Sequence, residues 1–454
     1  MENDTPLPVT PEALGVTAPD APEIHDYYDA SKGKFLVRNE SGRYLLHDVG
    51  GYRRTLKARN FSATPNPNEP LSEIDMQILE VQNLRDVGYH GRLCGRNAGP
   101  YEEFGHRILV TEDMKLLTPA PGDYPTIKDL LRGMIYANED PKVGHMQLHT
   151  LMGWLHSSVR ALYQGVRQQQ QALVICGPPN CYKSFFQHVI LTPLLGGRSA
   201  KAARYFTGRT DFNSDLFGAE HLIIEDDYAS TRLSDRMHLG ARLKEHTVAT
   251  GSASLHAKGF DAINLRPWWR ISITLNDDPE AMLVMPPLDK QIEDKIVLLR
   301  ASRGNPANSP GSPEAQAAYA ATIASELPAL VNHLLNVHEI PDALRCPRYN
   351  IATFHHPELL SNLRCLSPEA DLLDLIDQVF FSGCVKPKII RSANDIEARL
   401  FEVAGRRAEK ILSFRNACGT YLGRLAKLPS PRVFYGRTAT DRHWTILAPS
   451  NSAI

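Results

Sequence analysis

The stretch Ala172 to Phe186, ALVICGPPNCYKSFF, limits the possible fold more than any other part of this chain. Five apolar residues enter a Gly/Pro turn, and the turn delivers Lys183 and Ser184 where a helix should begin. A short apolar run followed by such a turn and a helix is the layout of a phosphate-binding loop. Its successive backbone N–H groups point into one concavity, the lysine adds a point charge, and the Ser/Thr hydroxyl ligates the magnesium carried by a nucleotide. Gly177, Pro178, Pro179, Asn180, Cys181, Tyr182, Lys183 and Ser184 are therefore the candidate ATP-binding residues, with Ser184 also a metal ligand. The glycine usual just before the lysine is replaced by Tyr182. A Cβ and a ring there can crowd the β-phosphate, although the N–H needed for binding survives.

With 454 residues and 43% hydrophobic content, the chain can form two to four domains with a sizeable core. No apolar run approaches the roughly 18 residues that span a bilayer, so no membrane segment is expected. The first stretch carries Glu2, Asp4, Glu12, Asp20, Glu23, Asp26 and Asp29 before its first base, Lys32, which resembles neither a signal nor a transit peptide. A cytoplasmic protein is expected. Seven scattered cysteines without CxxC or His/Cys spacing announce neither a disulfide framework nor a zinc site. A net charge of −1 argues against a protein that coats nucleic acid over its whole surface, and leaves local basic faces as candidates.

Along the chain, residues 1–125 read as a mixed α/β, turn-rich module of unknown role, with strands at Gly42 to Val49 and His106 to Asp113. Its basic stretch Arg53, Arg54, Lys57 and Arg59 fits a solvated face better than a phosphate contact. Apolar spacing of three and four makes 126–171 a helical layer and link. Residues 172–304 alternate short apolar runs with helical stretches, the pattern of an α/β core in which a parallel sheet is flanked by helices. Its expected strands are Ala172 to Cys176, His221 to Glu225 and Trp269 to Leu275. Residues 305–385 form a Pro-rich linker and helical lid, with Pro328 breaking or kinking the first helix. Residues 386–454 are basic, with 13 Lys/Arg against 5 Asp/Glu between Lys386 and Arg442. Two helices followed by a hairpin there read as a winged helix, and Arg406, Arg407, Arg424 and Arg437 are its candidate DNA contacts.

Three further motifs follow the loop in order. HLIIEDD ends an apolar strand in Glu225, Asp226 and Asp227. ATP hydrolysis needs one carboxylate near magnesium and another to orient or deprotonate water, and two of these three serve, Glu225 with Asp226 being favoured and Asp226 the candidate metal ligand. Next, SLHAKGFDA places His256, Lys258 and Phe260 on a projecting loop, a combination suited to gripping the phosphates and bases of single-stranded nucleic acid. Finally RISITLND ends a strand in Asn276, whose amide can bond both the γ-phosphate and the attacking water without adding charge.

This order resembles the A, B, B′ and C motifs of superfamily 3 helicases, the replicative helicases of small DNA viruses, phages and plasmid-like elements. GPPN followed by KS is particularly similar, and His356 to Asp377 looks like the region behind the core in phage-type primase-helicases. The resemblance implies an AAA+ P-loop NTPase core, ATP and Mg2+ held between the subunits of a hexameric ring, and hairpins bearing Lys258 lining a channel for single-stranded DNA. It further implies a host cytoplasm and duplex origin DNA as a second partner; no primase active-site signature is present in the sequence, so a primase is expected to be separate or absent. A cation acting in trans is also implied. Here the sequence departs from the family, because IEDKIVLLR offers Lys295 in place of an Asp-Arg pair, with Arg300 beyond it and Arg270 before the asparagine strand. The expected function is an ATP-driven DNA helicase or translocase. A nucleotide-dependent DNA-binding initiator or scaffold with little hydrolysis is the alternative that Tyr182 and Lys295 favour, and a small-molecule kinase is a third.

Overall fold

A computed structural model describes residues 25–225, 232–248, 252–256, 262–304, 312–382, 387–428, 431–437 and 442–449. The chain divides into two compact units. One runs through Val284 and resumes over Lys290–His356, and the other joins Met285–Asp289 to Pro357 and beyond.

The first unit begins with two small sheets. Strands Tyr44–His47, Lys34–Arg38, Tyr27–Asp29 and Asp86–Val87 lie side by side in that order. Helices Val49–Ala58 and Glu73–Leu84 accompany them, with Asp48 and Ser72 as N-caps whose side chains accept from backbone N–H groups. Phe35 and Tyr52 stack with centroids 4.2 Å apart inside this layer. The expected strand at 42–49 therefore ends early, because Asp48 caps a helix. His106–Val110 is the middle strand of the second sheet, between Tyr89–Gly91 and Gly99–Glu103. The basic stretch is partly neutralised internally, Arg53 pairing with Asp75 at 2.6 Å and Arg59 with the buried Asp26 at 2.5 Å.

A 23-residue helix, α1 (Pro141–Tyr163), leads into the main sheet. Its strands are β1 (Ala172–Cys176), β2 (Ser199–Lys201), β3 (His221–Glu225), β4 (Arg270–Leu275) and β5 (Ile296–Arg300), with helix α2 (Leu233–Thr247) between β3 and β4. The spatial order is β5-β1-β4-β3-β2, and all four pairings are parallel. Every residue of β1 and β4 is buried; β1 is apolar throughout, as suits a parallel strand covered on both faces, whereas β4 alternates in Arg270, Ser272 and Thr274, whose polar groups are met by buried hydrogen bonds. Strands β2 and β5 escaped the sequence reading; β2 is three polar-flanked residues on the sheet edge, and IVLLR was taken for the surroundings of a cation.

Helix α3 (Pro313–Asn336) packs on α1 and carries Tyr319, Ile323, Leu327 and Leu330 into the same apolar core as β1 and β5. The expected lid at 305–385 is thus divided: α3 belongs to the first unit, and 357–382 to the second. Pro328 neither breaks nor ends α3, and its carbonyl accepts from the Ala120 N–H.

The second unit contains α4 (Pro368–Ile376), β6 (Lys388–Arg391), α5 (Ala393–Ala404), α6 (Arg406–Ile411), α7 (Ala417–Leu425), β7 (Val433–Arg437) and β8 (Arg442–Leu447). Strand β8 is central in an antiparallel sheet ordered β6-β8-β7. The helices and hairpin lie where the sequence reading put them, and β6 and α6 are additions. Ser392 and Asp395 form a reciprocal capping box at the start of α5.

A buried ion pair beside the main sheet is among the contacts that tie the module of small sheets to it, with the Cys94 N–H donating to the Phe217 carbonyl at 2.7 Å and the Arg266 N–H to Glu103 at 2.9 Å. Arg198, before β2, bonds Glu220, before β3, through both Nε and Nη2, and its Nη2 also reaches the Leu93 carbonyl. Glu220 is completely buried and accepts from the Gly95 N–H at 2.9 Å. Gly95 has φ +70°, and a Cβ there would lie 2.6 Å from the Trp268 Cβ, so the loop reaches this seat because it has no side chain. Removing one member of such a pair strands the other charge in the interior. Glu220→Ala should cost about 3–5 kcal/mol, read as a lowered denaturant midpoint, and a midpoint unchanged from wild type would refute the assignment.

Candidate functional site

The phosphate loop leaves the carboxyl end of β1 between β5 and β4, where open α/β sheets bind their ligands. Its first residue is clamped on both sides. Gly177 donates to the Leu275 carbonyl at 3.2 Å, and the Ala301 N–H bonds the Cys176 carbonyl at 2.7 Å. A Cβ on Gly177 would fall 2.4 Å from the Ala301 oxygen, which excludes any other residue without movement of the backbone.

Asn180 and Tyr182 both take left-handed backbone conformations, with φ of 59° and 66°. Asparagine tolerates this region; a tyrosine there costs roughly 1–2 kcal/mol. The Tyr182 ring meets Phe185 edge-on with centroids 5.9 Å apart, and both rings pack against the apolar core. The sequence suggested that this ring could crowd a bound phosphate. The structure instead turns it toward the apolar core, so the cost of tyrosine falls on backbone strain.

Lys183 opens the helical run that follows, which continues through a π-helical segment, Phe186–Leu191, to Thr192–Leu194. Its ammonium group is buried and folded back onto the loop, donating to the Gly177 and Pro178 carbonyls at 2.7 and 2.8 Å and to Asn276 Oδ1 at 3.3 Å. Two motifs ninety-three residues apart in sequence thus meet directly. Among the described residues no carboxylate pairs with this cation. Ser184, next in the helix, is exposed.

Glu225 closes β3, with its side chain 13% exposed and near the Lys201 ammonium at 3.2 Å and the His188 imidazole at 3.5 Å. His188 stands on the helical run begun by Lys183, so the acidic strand end and the loop helix face each other. Asp226 and Asp227 lie outside the described residues, as do Lys258 and Phe260. His256 immediately follows the first strand of a hairpin, Ala253–Leu255 paired with Ile263–Leu265, and is exposed. Buried Asn213 holds the hairpin base by accepting from the His256 N–H at 2.8 Å and donating to the Ser254 carbonyl at 2.9 Å.

The structure separates the candidate trans cations. Arg300 ends β5 opposite Cys176, beside the loop, in the wall of a cavity of about 750 Å3 that Asn138, Pro178, Asp277 and Arg303 also line. Lys295 precedes the amino end of β5, the opposite end of the sheet, buried against Asp294 at 2.5 Å. Arg270 starts β4 and is buried at that same far end. Because Ile296–Arg300 is a strand, Lys295 and Arg300 lie at opposite ends of the sheet. Arg303, missed in the sequence, donates from Nε to the Pro179 carbonyl at 3.1 Å.

Beneath the loop runs a directed chain of buried hydrogen bonds. Thr192 spends its hydroxyl proton on the Gln187 carbonyl at 3.0 Å, so its oxygen must accept from His221 Nδ1 at 2.7 Å. His221 Nε2 is then unprotonated and accepts from Ser272 at 2.7 Å, Ser272 accepts from Gln187 Nε2 at 2.8 Å, and Gln187 Oε1 accepts from Thr274 at 3.0 Å. Every group is used once in one direction, which ties the loop helix to β3 and β4 and requires a neutral imidazole. Burial pushes the His221 pKa down to about 3.

In the second unit, Arg407 pairs with Asp374 at 3.2 Å, and Arg424 with Glu369 at 2.6 Å and Asp289 at 3.6 Å. These two arginines are held by carboxylates, while Arg406 and Arg437 are exposed. Among the described residues, no cluster of three or more His, Cys, Asp or Glu can hold a metal, and no helix is long and apolar enough to cross a membrane.

No family model matches the chain, and no curated protein matches it. Among solved structures, the apo C-terminal region of NrS-1 covers 93% of this chain and 96% of its own at a TM-score of 0.50 and 10% identity. A structure described as SCCmec type IV Cch, an active helicase, covers 88% and 71% at a TM-score of 0.28 and 11% identity, too low to carry an argument. The first likeness is one of fold alone. Fold and loop together define a mixed α/β protein whose parallel sheet, flanked by helices, is consistent with a P-loop-like core.

The neutral His221 gives a pH dependence whose sign is fixed. Its folded pKa lies below the unfolded value of about 6.5, so its stabilisation is complete above that pH and is lost as pH falls toward 3. Burial pushes His246 and His338 down to about 4 in the same sense. Melting temperature should therefore decline between pH 7 and 5, where carboxylates stay ionised, and a flat profile there would contradict the neutral imidazoles.

Proposed function

We propose that this chain is an ATP-dependent DNA helicase or translocase of the superfamily 3, AAA+ type, from a phage or mobile element, assembled as a hexameric ring on single-stranded DNA. The observation that carries the reading is the buried Lys183 ammonium, held by loop carbonyls and Asn276 without a carboxylate partner among the described residues. An arriving phosphate replaces carbonyl dipoles with a full negative charge, and charge-assisted bonds are roughly twice as strong as neutral ones.

In this reading the loop N–H groups and Lys183 hold the phosphates, and Ser184 with Glu225 or the following aspartates hold Mg2+, which would neutralise charge developing at the γ-phosphate. Asn276 already touches Lys183, so it can report occupancy of the loop to β4. Glu225 reaches the metal site only by yielding Lys201 or His188. Arg303, bonded to the Pro179 carbonyl, and Arg300 are the cations beside the loop within the same chain, and Lys295, at the far end of the sheet, stays a candidate for the trans-acting charge. DNA is gripped by the hairpin based at His256 and by exposed Arg406 and Arg437 on a winged-helix-like unit. The cytoplasm, a separate primase and a duplex origin as partner belong to the same reading.

A second reading, a nucleotide-dependent initiator or scaffold with little turnover, is favoured by the left-handed Tyr182 and by the engagement of Glu225 with Lys201 and His188. ATP hydrolysis with and without single-stranded DNA separates the two. A motor shows DNA-stimulated turnover that Lys183→Ala abolishes, and its DNA affinity loses about two units of log–log salt slope when both Arg406 and Arg437 become Ala. A scaffold binds nucleotide without turnover, and turnover appears in Tyr182→Gly. Failure to bind nucleotide at all would defeat both.

A further inference from the structure

At the amino end of the same sheet, roughly 20 Å from the phosphate loop along β1, lies a second cavity of about 300 Å3. Arg167, Lys244 and Arg270 line it, with His246, Trp268 and a single carboxylate, Glu245. Its volume is at the lower limit for small-molecule pockets, about 300–1,000 Å3.

Three observations set this cavity apart from a plain packing defect. Arg270 is 3% exposed and pairs with no carboxylate among the described residues, so a full cation stands in the interior with only dipoles around it. It donates to the Ser158 hydroxyl and the Trp269 carbonyl and lies over the Trp268 ring at 4.1 Å. Its Nη2 has no hydrogen-bond partner among the described residues, and neither has Nε2 of the equally buried His246. Arg167 sits close enough to repel it: burial and this neighbour together push the Arg270 pKa down to about 9. Arg167 spends its own donors on the Pro267 carbonyl at 2.6 and 3.1 Å. Glu245 does not offset the pair, because it bonds Arg242 at 3.0 Å on the outer side of α2. Burying a cation without counter-charge is costly, and a site that keeps Arg270 so, with the half-buried Arg167 adding a second positive charge beside an open cavity, suits an anion.

We propose that this cavity binds a small phosphate-bearing ligand, up to a nucleoside monophosphate in size, at a site separate from the phosphate loop. The phosphate lies against Arg270, Arg167 and the mobile end of Lys244, which is exposed and already directed to Gln291 at 2.8 Å. The indole wall of Trp268 gives the rest of the ligand an apolar surface. Because α2 and the hairpin at Ala253 both border the cavity, occupancy bears directly on the element carrying His256. The site does not depend on the helicase reading.

The test is a titration of the full chain with inorganic phosphate and with thymidine monophosphate, followed by heat and by tryptophan fluorescence. The wild type should show one saturable site per chain outside the loop. That site should persist in Lys183→Ala and weaken roughly tenfold in Lys244→Glu, a surface change that leaves the fold intact by circular dichroism. Binding that vanishes in Lys183→Ala and ignores Lys244→Glu belongs to the phosphate loop and overturns the proposal. Absence of any response at millimolar ligand overturns it as well, as does Lys244-dependent binding of oligothymidylate without binding of the monophosphate, which assigns the charge to a DNA backbone.

Discussion

The structure depends on the pairing of β1 with a strand on each side. Because β5 and β4 hold it along its whole length, the chain must leave its carboxyl end through a single gap, between the Leu275 and Ala301 backbones. Gly177 fits that gap and a Cβ does not. The loop that follows is fixed at its root by main-chain bonds, before any side chain contributes, and its lysine is delivered to Asn276 at the end of the adjacent strand.

The underside of the loop is fixed by polarity. A neutral His221 sits in a chain of hydrogen bonds in which Thr192, Ser272, Gln187 and Thr274 each have one role. Such a network is unforgiving: satisfied throughout, it holds the loop helix at one distance from β3 and β4, and a single proton added to His221 breaks it. The packed aromatic face of Tyr182 and Phe185 does the corresponding work on the other side. The left-handed tyrosine backbone is accompanied by ring contacts that a glycine would lack.

Much of this was legible in the sequence because it is written in local pattern. ALVIC is wholly apolar and HLIIE and RISITL are largely so, and all three are strands. The Lys183–Asn276 contact follows from two strand ends being neighbours. What was missed is what pattern does not carry. IVLLR is as apolar as the others, but the family's trans cation drew attention to its flanks, and Lys295 turned out to lie across the sheet from the loop. Strand β2 is short and polar at an edge. His221, Gln187 and Ser272 are scattered singly and meet only through the fold. The ion pairs of Arg407 and Arg424 likewise join elements with no sequence signal, so half of the basic candidates are already occupied.

The most direct test of the account is the equilibrium affinity of the full chain for a slowly hydrolysed ATP analogue with magnesium, measured by calorimetry beside Lys183→Ala. The account predicts one nucleotide per chain in the wild type and at least about a tenfold loss in the variant, the difference made by a charge-assisted bond to phosphate. Saturable binding that ignores Lys183→Ala, or no binding in the wild type, would show that the collapsed lysine is a structural cation and that the loop is not a nucleotide cradle.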